Sequence, residues 1–156
     1  MSKVSLDKPV PDFELPATGG KNTRLSALKG QNVVLYFYPK DDTSGCTMEA
    51  MAFSDLQSKF KRLNTVIVGV SRDSLKSHEK FHRKYTLKFD LLSDENEKIC
   101  KLFSVMKMKN MYGRKYRGIE RSTFLIDADG VLRVEWRKVT VKGHADEVLK
   151  AIKTLN

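Results

Sequence analysis

The 156-residue sequence predicts an α/β fold, with a mixed central β-sheet flanked by helices on both faces. Three observations carry this. The runs Val33 to Tyr38 and Thr65 to Val70 are apolar almost throughout, as expected of strands covered on both sides. Between them apolar residues recur at helical spacing, so the connection is a full helix and the two strands are parallel. Near the end, Asp127-Ala128-Asp129-Gly130 separates two β-rich segments and predicts an antiparallel hairpin.

Taken in order, the elements begin with the Val33 to Tyr38 strand. In the helix that follows, Ala52, Leu56, Phe60 and Leu63, joined by Met48 and Phe53, form the apolar face, and Glu49, Asp55, Lys59 and Arg62 take the other side. After the Thr65 strand, a helix runs from about Ser74 to Tyr85, with Leu75, His78, Phe81 and Tyr85 on one face and Asp73 as its N-cap. A short strand, Phe89 to Leu92, comes next. Asp94 with Glu97 three residues on resembles a capping box that opens a helix carrying Ile99, Leu102 and Phe103. Thr123 to Ile126 and Val131 to Trp136 form the hairpin, and a helix after Gly143 buries Val148, Leu149, Ile152 and Leu155. All four prolines, Pro9, Pro11, Pro16 and Pro39, fall in the first quarter, so the later elements lack the strongest breaker. Residues 1–156 are expected to form one domain, with no repeat or linker.

Composition excludes several classes. With 40% hydrophobic and 31% charged residues the chain has the makeup of a globular protein and not of a disordered one. No apolar run approaches the roughly 20 residues a membrane helix requires. The segment MSKVSLDKPVPDFEL has no hydrophobic core or cleavage site of a secretory signal, so a cytoplasmic, reducing location is expected. Two cysteines, Cys46 and Cys100, are too few for a disulfide framework. The net charge of +10 is read as a solvated surface, and nucleic acid is not an expected partner. One local excess stands out: Lys101, Lys107, Lys109, Arg114, Lys115, Arg117 and Arg121 face a single acid, Glu120.

The chemistry points to Pro39-Lys40-Asp41-Asp42-Thr43-Ser44-Gly45-Cys46. Here a buried strand ends, Pro39 stops it, a polar turn follows, and Cys46 falls in the first turn of the next helix. The unpaired N–H groups and positive dipole end at that point favour an anion, and the thiolate is the nucleophilic form of cysteine. The Thr43 hydroxyl is placed to hydrogen-bond the sulfur or an oxygen reacting with it. The residues alone leave a second reading open, in which Thr43, Ser44 and Gly45 cap the helix and Cys46 packs as a small core residue.

Pro39-x-x-x-Thr43-x-x-Cys46 matches the P-x-x-x-T-x-x-C signature of peroxiredoxins. YFYPKDDTSGCTMEA, KNMYGRKYRGIERSTFLIDADG (109–130) and the segment from Lys138 to Lys150 resemble the bacterioferritin comigratory protein branch, also called peroxiredoxin Q. The resemblance implies a thioredoxin-like fold and a thiol-dependent reduction of hydrogen peroxide and organic hydroperoxides, with no metal or organic cofactor. It also implies that Cys46 is the peroxidatic nucleophile, that Thr43 and Arg121 hydrogen-bond it, that Pro39 shields the sulfur, and that Glu49 orients Arg121. A guanidinium and a hydroxyl aimed at the negative charge developing on the departing oxygen lower the barrier. The basic strip is then read as raising the potential around Cys46. A monomer or weak homodimer is expected.

The chain departs from the branch in places. Many members carry a resolving cysteine five positions after the nucleophile, where this chain has Met51, and others carry it near Phe81, where this chain has none. Ser44 stands where many relatives have proline. Cys100 is the only other thiol; it is read first as a core residue beside Ile99, Leu102 and Phe103, with a resolving role as the alternative. The expected cycle therefore uses an external thiol: thioredoxin, glutaredoxin or a small thiol. A general thiol–disulfide oxidoreductase is disfavoured, because Glu49 stands where a C-x-x-C pair has its second thiol. A nucleic-acid-binding module using the 101–121 strip is the other alternative, and it requires steeply salt-dependent affinity. His78-Glu79-Lys80-Phe81-His82 fits the H-E-x-x-H zinc pattern, but only His144 remains as a third histidine, and no metal is expected. Met106, Met108 and Met111 are read as flexible apolar surface or gap-fillers.

Overall fold

The computed structural model of the protein describes residues 3–155; Met1, Ser2 and Asn156, at the ends of the expected domain and of the segment read for a signal, lie outside them. Three parallel strands make its centre: β3 (Asn32–Phe37), β4 (Thr65–Ser71) and β5 (Asp90–Ser93). Antiparallel strands complete each side, β1 (Glu14–Ala17) and β2 (Lys21–Arg24) beyond β5, and β8 (Ser122–Ile126) and β9 (Leu132–Trp136) beyond β3. The sheet order is β2-β1-β5-β4-β3-β8-β9. A separate two-stranded arm, β6 (Met106–Met111) and β7 (Arg114–Ile119), stands outside this sheet.

All six residues of β3 are buried, so its alternation divides the interior in two. Val33, Leu35 and Phe37 face one core with Val68, Val70, Phe103, Phe124 and Cys100. Val34 and Tyr36 face the other with Cys46, Phe53, Phe60, Phe81 and Val148. Helices α1 (Ser44–Asp55), α2 (Gln57–Arg62), α3 (Leu75–Tyr85) and α5 (His144–Leu155) contribute to the second core, and α4 (Lys98–Leu102) to the first. Helices thus cover both faces, as the sequence predicts. Tyr36 stacks on Phe53 of α1 with ring centroids 4.8 Å apart. Gly69 makes room for that ring, since a Cβ there would lie 3.0 Å from it.

Several boundaries differ from expectation. The helix after β3 is broken at Leu56, which ends α1 and opens α2. Two positions of its faces are also exchanged: Met48 is 58% exposed, whereas Glu49 is 1% exposed, while Phe53 and Phe60 are buried and Asp55, Lys59 and Arg62 exposed as expected. Cys46, Glu49, Ala50 and Phe53 follow i, i+3, i+4, i+7, which turns position 49 inward whatever its polarity. Ser74, not Asp73, caps α3, its side chain accepting from Ser77 N at 3.1 Å. No capping box forms at α4, because Glu97 itself takes a left-handed conformation (φ 61°), and Asp94 instead accepts from the N–H groups of Ile99 and Cys100. The β1–β2 hairpin and the β6–β7 arm are absent from the sequence reading.

Candidate active site

Strand β3 delivers the chain to Pro39, and a four-residue turn leads into α1. Two neighbouring carboxylates tie that turn to α3. Asp41, almost buried, accepts from Tyr38 Oη at 2.6 Å and Ser77 Oγ at 2.7 Å, and its Oδ2 lies 2.7 Å from His78 Nδ1. The other nitrogen of the fully buried His78 donates to the Leu92 carbonyl at 2.9 Å. The Asp41 N–H donates to Asp73 at 2.9 Å, and Asp73 also accepts from Ser71 Oγ. The next residue, Asp42, turns the chain at φ 58° and accepts from Lys84 Nζ at 2.7 Å and Tyr85 Oη at 2.6 Å.

This fixed turn presents Cys46 in the first turn of α1, where it is 2% exposed. Arg121, between β7 and β8, reaches it from the other side. Its Nη2 donates to Cys46 Sγ at 3.4 Å, and its Nη1 donates to Glu49 Oε1 at 2.6 Å. Gly45 permits the approach, since a Cβ there would lie 3.2 Å from Nη2. One guanidinium thus links a sulfur and a carboxylate one helical turn apart. Thr43 does not make the expected bond to the sulfur. Its hydroxyl donates to the Lys40 carbonyl at 2.8 Å, so it closes the turn. Pro39 is half-buried and shares a groove with Arg121.

Burial pushes the Glu49 carboxyl up to about 7, against the downward pull of Arg121. Among the described residues its Oε2 is buried without a hydrogen-bond partner, while Oε1 keeps Arg121. The linkage sign follows from the raised value. Between the unfolded value of 4.5 and about 7 the folded state holds more protons than the unfolded one, so this group's stabilising contribution falls as pH rises through that window. At 1.36 kcal/mol per pKa unit the whole change is about 3 kcal/mol. The difference in stability between wild type and Glu49→Gln, followed by urea denaturation, is therefore expected to change by that amount between pH 4.5 and 7. Parallel pH profiles for the two proteins contradict it.

Cys100 lies in the other core, so the sheet separates the two thiols. It is fully buried, and burial together with the Asp94 carboxylate pushes its thiol up, toward the protonated and unreactive form. The basic strip divides in structure. Arg117 and Lys101 converge with Arg72 on Glu97, Lys107 and Lys109 line the groove at Arg121, and Arg114 and Lys115 are exposed on the arm. His78 is engaged with Asp41 and Leu92, while His144 bonds Thr123 Oγ1 at 2.8 Å. Met108 and Met111 are exposed, and Met106 packs on the first core.

Sequence reasoning missed Asp41, Asp42, Lys84 and Tyr85. The one signal was His78, which falls on the apolar face of α3 and so needs a buried partner.

Residues 6–135 match the AhpC/TSA family. The chain is 48% identical over 153 residues to peroxiredoxin Bcp of Bacillus subtilis, covering 98% of each. Among solved structures it is similar to the Xanthomonas campestris bacterioferritin comigratory protein, at 48% identity and a TM-score of 0.87, covering 92% of this chain and 91% of that one. It is also similar to Xylella fastidiosa PrxQ, at 40% identity and a TM-score of 0.93, covering 99% of each. With a thioredoxin-like mixed sheet and an arginine-bound thiol at its strand-to-helix junction, the chain belongs to the AhpC/TSA family and is a peroxiredoxin of the Bcp/PrxQ branch.

Proposed function

We propose that Cys46 is the nucleophile of this peroxidase and that an external thiol completes its cycle. The observation that carries this reading is the Arg121 guanidinium, bonded at once to the Cys46 sulfur and to buried Glu49. The thiolate attacks the terminal oxygen of a hydroperoxide, the S–O bond forms as the O–O bond breaks, and the departing oxygen leaves as an alcohol or water after taking a proton. Sulfur is oxidised to a sulfenic acid and the peroxide is reduced. Arg121 stabilises the charge that passes from sulfur to the leaving oxygen. Thr43, having given its hydrogen to the Lys40 carbonyl, keeps lone pairs to accept from the incoming O–H, and Pro39 shields the sulfur. Xanthomonas campestris bacterioferritin comigratory protein is described for alkyl peroxide reduction, and the proposal extends that substrate class, with hydrogen peroxide, to this chain.

Regeneration by thioredoxin, glutaredoxin or a small thiol is supported by the placement of Cys100 in the other core and by Met51 at the branch's resolving position. One thiol displaces water from the sulfenic sulfur, and a second reduces the mixed disulfide. In this reading the chain works as one domain, as a monomer or weak homodimer, and as a cytoplasmic antioxidant. No helix among the described residues is long and apolar enough to cross a membrane.

Non-reducing mass spectrometry after one equivalent of peroxide tests the cycle. A gain of one oxygen on the Cys46 peptide is expected. A loss of two hydrogens with a Cys46–Cys100 linked peptide overturns the external-thiol step, and peroxide consumption no faster than by Cys46→Ser overturns Cys46 as the nucleophile.

A further inference from the structure

Glu97, released from the capping role expected of it, gathers three cations. Its Oε2 accepts from Arg72 Nη1 at 3.0 Å and its Oε1 from Arg117 Nη1, with Lys101 Nζ 4.0 Å from Oε1. The side chain is 17% exposed, so water screens this carboxylate less than a surface pair. The Arg117 bond above all, against the cost of burial, holds its carboxyl below the usual carboxylate range, so the charge persists at neutral pH. The two guanidiniums come from different sides of the active site. Arg72 lies between Ser71 and Asp73, the pair that holds the Asp41 N–H and with it the turn into Cys46. Arg117 lies in β7, four positions before Arg121. The arm it belongs to has no ladder with the main sheet, and Arg114 to Arg117 are exposed. Among the described residues, Arg117 with Glu97 is the one side-chain hydrogen bond or ion pair that residues 106–119 make to the rest of the chain. Like charges work against this arrangement. Burial above all pushes the Lys109 ammonium down, and the Arg121 and Arg72 charges push the same way, so the arm lays a cation beside two others. Glu97 supplies the attraction that opposes this repulsion.

Resting on the peroxidase reading of Cys46, we infer that Glu97 is a positioning residue for the reaction. By clamping Arg72 to Arg117 it fixes the arm, and through the arm it fixes the Arg121 guanidinium 3.4 Å from the sulfur. Glu97 itself has no bond to Cys46, Glu49 or Arg121 among the described residues, so it acts on the reacting atoms only through Arg121. The geometry it protects is narrow. One planar group must keep Nη2 on the sulfur and Nη1 on Glu49, and a shift of the strand that leads to it takes both bonds out of line together.

Stopped-flow oxidation of Cys46 by hydrogen peroxide, on full-length variants with native circular dichroism, tests this. Glu97→Gln is expected to slow the reaction about fivefold, the scale of one net hydrogen bond. The sign is diagnostic, because by charge alone the loss of a carboxylate near an anionic sulfur favours the thiolate and speeds the reaction. Arg117→Gln, at an exposed position outside α4, is expected to give the same loss, and the double variant no more than either single one. In an Arg121→Ala background Glu97→Gln is expected to change the rate less than about twofold, because the group it positions is gone. Glu95→Gln, an exposed acid two positions away, is expected to keep the wild-type rate. A rate in Glu97→Gln equal to or above that of wild type overturns the inference. So does a fivefold loss that persists in the Arg121→Ala background, which marks a general structural role, and so does a matching loss in Glu95→Gln, which marks diffuse charge. If Glu97→Gln does not fold, Arg117→Gln carries the same comparison with and without Arg121→Ala. If hydrogen peroxide fails to oxidise Cys46 in the wild type, the peroxidase reading falls and this inference with it. A normal wild-type reaction with no loss in Glu97→Gln overturns the inference alone.

Discussion

Arg121→Ala is expected to slow the oxidation of Cys46 by hydrogen peroxide about 10²–10³-fold, the range measured when one preorganised donor is removed from a developing oxyanion. Two losses combine. The sulfur loses its 3.4 Å donor, and Glu49, 1% exposed, loses the Arg121 bond to Oε1 while Oε2 already has no partner among the described residues. Arg121→Lys recovers only part of the rate, because an ammonium cannot fork to both groups in one plane. Neutralising Lys115 and Arg117 together is expected to slow the reaction far less, and added salt should mask the difference, since both side chains are exposed and Arg117 is engaged with Glu97. Stopped-flow kinetics on variants with native circular dichroism measure these effects. Equal losses for Arg121→Ala and the Lys115 and Arg117 pair would show that general positive potential, and not the fork, drives the chemistry.

The central strands were legible because Val33 to Phe37 of β3 form an unbroken apolar run, and burial on both faces leaves no other pattern. Cys46 and Arg121, 75 positions apart, were legible through the motif blocks that contain them; periodicity and spacing could not have joined them. The β6–β7 arm was not legible. Its strands, Met106–Met111 and Arg114–Ile119, are rich in Lys, Arg and Met, because an arm outside the main sheet buries little and needs no alternating apolar face. Its turn gives a weak signal as well, with Tyr112 taking positive φ before Gly113 where Asn or Asp would be expected. Periodicity places Glu49 on the polar face because a carboxylate is rarely buried, and the guanidinium that makes its burial tolerable lies 72 positions away in sequence, so only the family resemblance joined the two. The tie between Asp41 and His78 was hidden for the same reason: a burial pattern shows that a polar side chain points inward, but not which distant residue meets it.

Removing that tie is expected to produce the largest loss of stability in the molecule outside its apolar cores. Asp41→Ala removes the acceptor of Tyr38 Oη and Ser77 Oγ and the carboxylate partner of His78 Nδ1, leaving Tyr38 Oη and His78 Nδ1 their mutual 3.4 Å contact, and the His78 ring has no exposure to water. Breaking one side of a buried pair in this way costs about 3–5 kcal/mol, a large share of the 5–15 kcal/mol that holds a typical domain folded. With a urea slope of about 2 kcal/mol/M, the unfolding midpoint should fall by roughly 2 M. Asp42→Ala, one residue on, removes only the exposed Lys84 and Tyr85 contacts and is expected to cost about 1 kcal/mol or less. Adding His78→Leu to Asp41→Ala should restore part of the loss, because an apolar ring of contacts then replaces an unpaired polar one and the two changes are coupled. Because the Asp41 turn leads directly into α1, stabilities and Cys46 oxidation rates should fall together across the series and recover together in the double variant. If Asp41→Ala costs no more than Asp42→Ala, or the double variant simply sums the single losses, the buried pair does not hold the turn and the placement of Cys46 depends on β3 and α1 alone.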